Sequence, residues 1–391
     1  MNRTRPACSG CGKDTSHPIF LNQSAPVALG RLAATPSDAR NSVPGTIDLV
    51  ACEHCGLIEN REYDPAIIGF EPGYEVSLLH TPTFCNYIES LCDRLIADHS
   101  LNGKRILEIG CGSADFLRMI CTNGGNHGVG IDPTIRQNTR ERCGSGTMEL
   151  IPDFYSNRYE NMIGDFICSL SVFEDIPNPL DFLKSLRHSI GTRDVRIYFE
   201  VFNGYRAISQ QEVWSVHYEQ CNYFSPESLR NIFRLAGFEI TSSGTCYEGD
   251  QYIFVEAVPS TASASIECEL PDNFINDVHS FADAFSNRVT WWKAKLEQCR
   301  RDRRRVVCWG SGGKGLSFLS SVPNSDVIEQ VIDINPNRQN HYLPIVSHPI
   351  VAPNSLTASK PDVVVVTNAL YRNEIQNTLK SMQIDCELVV A

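Results

Sequence analysis

The sequence predicts an α/β protein of two doubly wound units behind a small cysteine-bearing module, and three observations carry that prediction. An apolar strand, a glycine turn, a helix and a second strand ending in an acid run through residues 105–132. The same succession returns through residues 305–333. Ahead of both stand two C-x-x-C pairs, Cys8/Cys11 and Cys52/Cys55. A length of 391 residues allows two to three domains and more than one core. Hydrophobic residues at 42% and charged residues at 20% are the composition of a folded globular chain, which excludes a disordered or fibrous one.

A net charge of −12 opposes a phosphate backbone, so no nucleic-acid partner is expected. No apolar run reaches the roughly 18–20 residues that cross a bilayer, and MNRTRPACSGCG lacks the apolar stretch of a signal peptide. The expectation is a cytoplasmic chain with no membrane partner. Its 16 cysteines are then read as reduced thiols, with close pairs as metal ligands.

The cysteine pairs define the first module, residues 1–70. Each is followed by glycine, and two such turns supply the four thiolates of a structural zinc site, Cys8, Cys11, Cys52 and Cys55. His17 and His54 are read as bystanders. Between the pairs, LNQSAPVALGRLAATPSDARNSVPG reads as irregular loop, so the module is expected to depend on the metal for its fold.

Residues 71–258 form the central unit. Phe84 to His99 has helical spacing, and RILEIGCGSADFLRMI is a strand ending in Glu108, a turn at Gly110–Gly112 and a helix. HGVGIDP gives a second strand ending at Asp132. Small residues at the turn admit a ligand close to the backbone, and the second acid accepts hydrogen bonds from a ribose diol. This is the geometry of a nucleoside cofactor, and nicotinamide or flavin enzymes share it.

EIGCG followed by Asp115 resembles motif I of class I S-adenosylmethionine (SAM) methyltransferases more than the dinucleotide loop. Together, the two C-x-x-C pairs, GYEVSLLHTPTF around Tyr74, LEIGCGSADFL, FEDIPNP, WSVHYEQCNYFSPESLRNIF with AGF, WGSGGKGLSFL, DINPNR and NALYRNEI resemble one family across nearly the whole chain. That family is the sugar C-methyltransferases with an N-terminal zinc-binding module, a central class I Rossmann-like domain and a second, C-terminal Rossmann-like α/β domain. The resemblance implies structural Zn2+, SAM as methyl donor and a small-molecule acceptor, with nucleotide-linked 4-keto-6-deoxysugars as the best-studied case. It further implies cofactor contacts from Glu108, Gly110, Gly112, Asp132 and the loops around Asp153 and Ser171.

Methylation of a carbon beside a ketone needs a base for the α-proton and donors for the enolate oxygen. His217 to Phe224 concentrates such groups. His217 or Glu219 is the expected base, with Tyr218, Tyr223 and Tyr74 orienting the substrate; the plainer alternative makes His217 and Tyr223 packing residues. Ser225 is the expected N-cap of the next helix, with Ser228 in place of Glu and the capping box incomplete. Family members carry histidine where this chain has Gln220 and Asp175. Gln220 takes no proton, and Asp175 acts as a base only with a raised pKa. Three outcomes stay open: a more acidic carbon acceptor, an oxygen or nitrogen acceptor, or a SAM fold that no longer transfers methyl groups.

Residues 259–303 read as a small, polar linker and a long helix whose basic end, Arg300–Arg305, complements the helix dipole. Residues 304–391 repeat the strand, glycine turn and helix, with Asp333 ending the second strand. Gly310–Gly315 is not a P-loop, because no hydroxyl follows Lys314. The turn either holds an anion such as a substrate diphosphate or is a tight turn in a structural or subunit-contacting domain. A monomer or homodimer is expected.

Overall fold

The computed structural model describes residues 7–14, 16–74, 77–260 and 267–391. Two sequence landmarks fall partly outside them: residues 75–76 of the stretch after Tyr74, and 261–266 of the linker.

The chain opens with β1 (Ser16–Pro26), α1 (Pro36–Arg40), β2 (Pro44–Cys52) and β3 (Ile58–Asn60). Then follow α2 (Pro82–His99), β4 (Arg105–Ile109), α3 (Asp115–Gly124), β5 (His127–Ile131), β6 (Thr139–Cys143), β7 (Gly146–Ile151), β8 (Phe166–Leu170) and α4 (Pro179–Ile190). The middle continues with β9 (Arg196–Phe202), α5 (Gly204–Ser209), β10 (Asn222–Tyr223), α6 (Pro226–Leu235), β11 (Phe238–Cys246) and β12 (Tyr252–Pro259). The last third holds α7 (Phe274–Arg301), β13 (Val306–Trp309), α8 (Gly313–Ser321), β14 (Ile328–Ile332), β15 (Ile350–Val351), β16 (Val363–Val366), α9 (Arg372–Ser381) and β17 (Glu387–Val390).

Three sheets result. The central one runs β11-β12-β9-β8-β4-β5-β7-β6, parallel from β9 through β7, with β12 inserted antiparallel beside β9. From β4 the chain winds outward to β5 and β7, then returns to β8 and β9. The order therefore reverses between β4 and β8, where the carboxyl ends open a crevice. The third sheet, β15-β14-β13-β16-β17, is wholly parallel and reverses in the same way between β13 and β16. Val363–Val366 is buried at every position, as a strand covered on both faces must be.

The stretch between the cysteine pairs corrects the loop expectation. Ser16–Pro26 pairs antiparallel with Pro44–Cys52, with register shifts after Pro18 and Asn22. Those bulges absorb the irregular Pro, Ser and Asn content that reads as loop. The module also has more apolar support than expected. Ile19, Ala25, Ile47, Leu49 and Ala51 join Trp214, Phe281, Trp292, Leu296 and the inner face of the third sheet, Val306, Val331, Val363 and Val365, in one buried cluster. Cys8, Cys52, Cys55 and Leu57 pack with Leu229, Ile232 and Phe233 of α6 in another. Gly45 belongs to the same junction, since a Cβ there would stand 2.5 Å from the Tyr218 ring.

The capping box expected to be incomplete is complete. Ser225 Oγ accepts from Ser228 N at 3.0 Å, and Ser228 Oγ accepts from Ser225 N at 2.8 Å, so serine performs the reciprocal role usually taken by glutamate. The basic stretch at and just beyond the end of α7 pairs with acids of the C-terminal unit, Arg300 with Asp326, Arg304 with Glu387 and Arg305 with Glu329, at 2.6–2.9 Å. Among the described residues no helix is long and apolar enough to cross a membrane.

Trp292 is fully buried at the centre of the shared cluster. Trp292→Ala is expected to lower stability by about 3–5 kcal/mol, read from the urea midpoint at unchanged m-value.

Candidate functional site

The crevice beside β4 is built from sharp backbone. Gly110 and Gly112 have φ of +74° and +52°, and Ala114 and Ser171, at the turns after β4 and β8, also lie in the left-handed region. Non-glycine residues rarely adopt it, and they concentrate where a ligand approaches main chain. A Cβ on Gly110 would stand 2.5 Å from Val172, whereas one on Gly112 would meet open space. Asp132 holds the turn: Oδ2 accepts from Gly112 N at 2.8 Å, and Oδ1 accepts from Thr134 N at 2.7 Å. Glu108 is buried, and its Oε2 has no hydrogen-bond partner. Burial, then the neighbouring Asp132, pushes its pKa well above the carboxylate range. A cationic ligand group would satisfy both the empty acceptor and the charge. On the flank, Asp153 Oδ1 accepts from Phe154 N at 2.8 Å while Arg158 and Tyr159 hold Oδ2. Phe154 beside it is 61% exposed, an aromatic face turned outward at the rim.

The third sheet turns its own crevice toward this one. Contacts across the gap include Gln251 with Asn368, the Tyr247 and Tyr371 hydroxyls at 2.8 Å, and Thr83 with Glu374. Lys314 Nζ reaches Glu212 at 2.9 Å, and Ser317 Oγ donates to Val216 O at 3.1 Å. The segment from Trp214 to Phe224 lies between the two rims.

Within that segment the structure separates residues that the sequence groups together. Tyr223 Oη donates to His217 O at 2.9 Å and accepts from His217 N at 3.0 Å. Tyr218 Oη donates to Glu62 O at 3.2 Å and accepts from Asp64 N at 2.8 Å. Tyr218 and Tyr223, expected to orient the substrate, each give their one hydroxyl proton to main chain here. Gln220 is buried and donates to Asn222 O at 3.1 Å, a brace within the segment. Tyr74 differs: its buried hydroxyl has no partner, and its ring packs on Phe70, 5.2 Å away.

Three titratable groups remain. His217 Nδ1 is buried without a partner, beside Gly313 at the start of α8; burial, with Lys314 adding, pulls its pKa down to about 4. Glu219 is 5% exposed, and its Oε1 accepts from Leu29 N at 3.5 Å. Burial drives its pKa up to about 8, against the opposing pull of Leu29 N–H and Arg338. Burial and Glu174 push Asp175 well above its usual range, and its main-chain oxygen accepts from Tyr63 Oη at 3.0 Å. Glu174 was not singled out from sequence. It is buried, its Oε1 accepts from Phe202 N at 2.9 Å, and burial lifts it to about 7. Its place inside FEDIPNP was the one available signal.

At the N-terminus, the Sγ atoms of Cys8, Cys11, Cys52 and Cys55 all lie within 4.8 Å of one another, with Cys8–Cys55 and Cys11–Cys52 at 3.6 Å. A tetrahedral zinc with bonds of about 2.3 Å sets sulfur separations of about 3.8 Å, so the four thiols fit that ion.

In the C-terminal unit, Ser311 N and Oγ both donate to Asp333, and Lys314 is already paired with Glu212. The acid closing the second strand thus stabilises its own glycine turn.

A family model described as a methyltransferase domain matches residues 84–243, and one described as the C-methyltransferase C-terminal domain matches residues 267–391. No curated protein matches the chain. Similar solved structures include magnesium protoporphyrin IX methyltransferase from Synechocystis PCC 6803 with bound SAM, at 18% identity over 46% of this chain and 80% of that one, TM-score 0.32. Another is 1,6-didemethyltoxoflavin-N1-methyltransferase from Burkholderia thailandensis, at 14% identity over 46% and 81%, TM-score 0.33. A SAM-dependent methyltransferase from Mesorhizobium loti matches at 12% identity over 44% and 99%, TM-score 0.33. The two family matches, on a sheet that reverses between β4 and β8, mark this chain as a methyltransferase.

Gly110→Ala, facing both Val172 and a left-handed φ, is expected to cost about 2–4 kcal/mol of stability. Gly112→Ala, facing only the φ, is expected to cost about 1–2 kcal/mol. Urea titration of the two variants checks the difference.

Proposed function

We propose that this methyltransferase adds a methyl group to carbon, at the position beside a ketone in a small, nucleotide-linked keto-deoxysugar, with Glu219 as the base. The observation that carries the reading is the buried Glu219 carboxyl, its pKa raised to about 8, between the SAM crevice and the C-methyltransferase domain. A general base works best when its pKa lies close to the operating pH. Glu219 meets that condition, whereas His217, held neutral at about 4, is a poor proton acceptor. Gln220 offers no proton site, and its neighbour Glu219 supplies the chemistry that a histidine there would otherwise give.

SAM, when bound, supplies a methyl group on a positively charged sulfur. Asp132 would hold the ribose of the cofactor, Glu108 the cationic amino-acid end, Gly110 and Gly112 the close main-chain approach, and the loops at Asp153 and Ser171 the adenine side. Glu219 would take the α-proton of the ketone onto its carboxylate oxygen, leaving an electron-rich carbon; as that carbon bonds to the donated methyl, the carbon–sulfur bond would break with its electron pair staying on sulfur, and the demethylated, neutral thioether would leave. The Tyr74 hydroxyl, unpartnered, is the donor suited to the enolate oxygen. Burial raises the pKa values of Asp175 and Glu174, so both carry less negative charge near neutral pH than exposed carboxyls would.

Zinc at Cys8, Cys11, Cys52 and Cys55 would be structural, since four thiolates leave no open position. Elemental analysis should find one zinc per chain, lost in Cys52→Ser.

Glu219→Gln should lower turnover by about 10²–10⁴-fold while SAM affinity stays within about twofold, and His217→Ala should do much less. Because the raised pKa keeps Glu219 protonated below it and the base form is the carboxylate, kcat/KM should climb with pH through about 8. Incubation with methyl-labelled SAM and a panel of nucleotide-linked ketosugars tests the acceptor. A label on carbon is the expected product; a label on oxygen or nitrogen overturns the reading.

A further inference from the structure

We infer that Arg338, in the C-terminal domain, is a positioning residue that acts on the Glu219 carboxyl through the main chain of Leu29. Leu29 N donates to Glu219 Oε1 at 3.5 Å, and Leu29 O accepts from Arg338 Nη2 at 3.1 Å. One residue of the N-terminal module is therefore clasped on one side by the SAM domain and on the other by the C-terminal domain. Arg338 is only 4% exposed, and its aim is fixed from behind. Its Nε donates to Ser311 Oγ at 2.7 Å, its Nη2 donates to Ser311 O at 2.9 Å, and Asp333 stands 3.9 Å away. A planar guanidinium held at several points cannot swing to another partner as a lysine ammonium can.

The consequence for Glu219 is electrostatic as well as geometric. A buried carboxyl loses its hydration, and a cation in the same low-dielectric surroundings restores part of that loss to the charged form. The groups facing Glu219 are Arg338 from the segment after β14, the Leu29 N–H from the segment after β1, and Tyr63 from the segment after β3. His217 and Tyr218 precede it on its own segment. Arg338 is the cation of that set. Removing it leaves the carboxylate less favoured, so the midpoint of Glu219 must rise; shortening it to lysine keeps the charge and loses the aim. The glycine turn of the C-terminal domain thereby has a use that requires no ligand: Ser311 and Asp333 hold the guanidinium that tunes a group in the other rim.

The inference concerns the state of Glu219 and gains its catalytic meaning from the base assignment above. The two are separable. In the full-length chain with carbon-13 glutamate, the Glu219 carboxyl resonance is assigned by its loss in Glu219→Gln and titrated against pH. Arg338→Met should raise its midpoint by about one pH unit or more, with Arg338→Lys recovering most of the shift and SAM affinity unchanged within about twofold. Should Arg338→Met not fold, Ser311→Ala removes the oxygen that aims the guanidinium, and a smaller upward shift is expected. An unchanged or lowered midpoint in the folded variant overturns the inference. A fully active Glu219→Gln would overturn the base assignment instead and leave this titration as it stands.

Discussion

Burial of one apolar cluster fixes how the halves of this molecule face each other. It runs from Ile19, Ile47 and Leu49 through Trp214, Phe281 and Trp292 to Val306, Val331 and Val363. A shared core of this kind resists sliding, because close-packed side chains have few alternative arrangements. The N-terminal strands are thus a wedge between two doubly wound sheets, and the rims of those sheets are held opposite each other. The segment from Trp214 to Phe224 is sealed in the gap. Its phenols are tied to main chain, and its carboxyl is deprived of water.

That deprivation pushes the pKa of an ordinary glutamate up to about 8. His217, two residues earlier, responds to the same burial in the opposite sense, as a base whose charged form is disfavoured. One environment therefore separates the two candidates that composition leaves equal. The Leu29 and Arg338 contacts add that the N-terminal and C-terminal parts of the chain both bear on the carboxyl proposed as the base, which gives a physical reason for three parts in one polypeptide.

Local patterns made much of this visible in advance. Arg105–Ile109, the Gly110–Gly112 turn and Asp132 were legible because strand, turn and acid follow one another along the chain, and the cysteine pairs because metal ligation needs a short spacing. The strand Ser16–Pro26 was hidden, since its bulges break the alternation that marks a strand. Ser228 as a capping partner was hidden because the reciprocal bond is usually sought from a longer side chain. The link from Glu219 through Leu29 to Arg338 was beyond reach, for no periodicity relates residues brought together by three separate parts of the fold. DINPNR is visible as a motif, yet nothing in it foretells a guanidinium buried against Ser311.

The central claim is that Glu219 removes a proton from carbon, and exchange of that proton tests it without waiting for methyl transfer. With the demethylated cofactor bound, the enzyme and a nucleotide-linked ketosugar deuterated beside the ketone are followed by NMR in ordinary water. Deuterium should wash out of that position with the native chain and stay in place with Glu219→Gln. Retention of the deuterium with the native chain, or equal loss with both, would contradict the account.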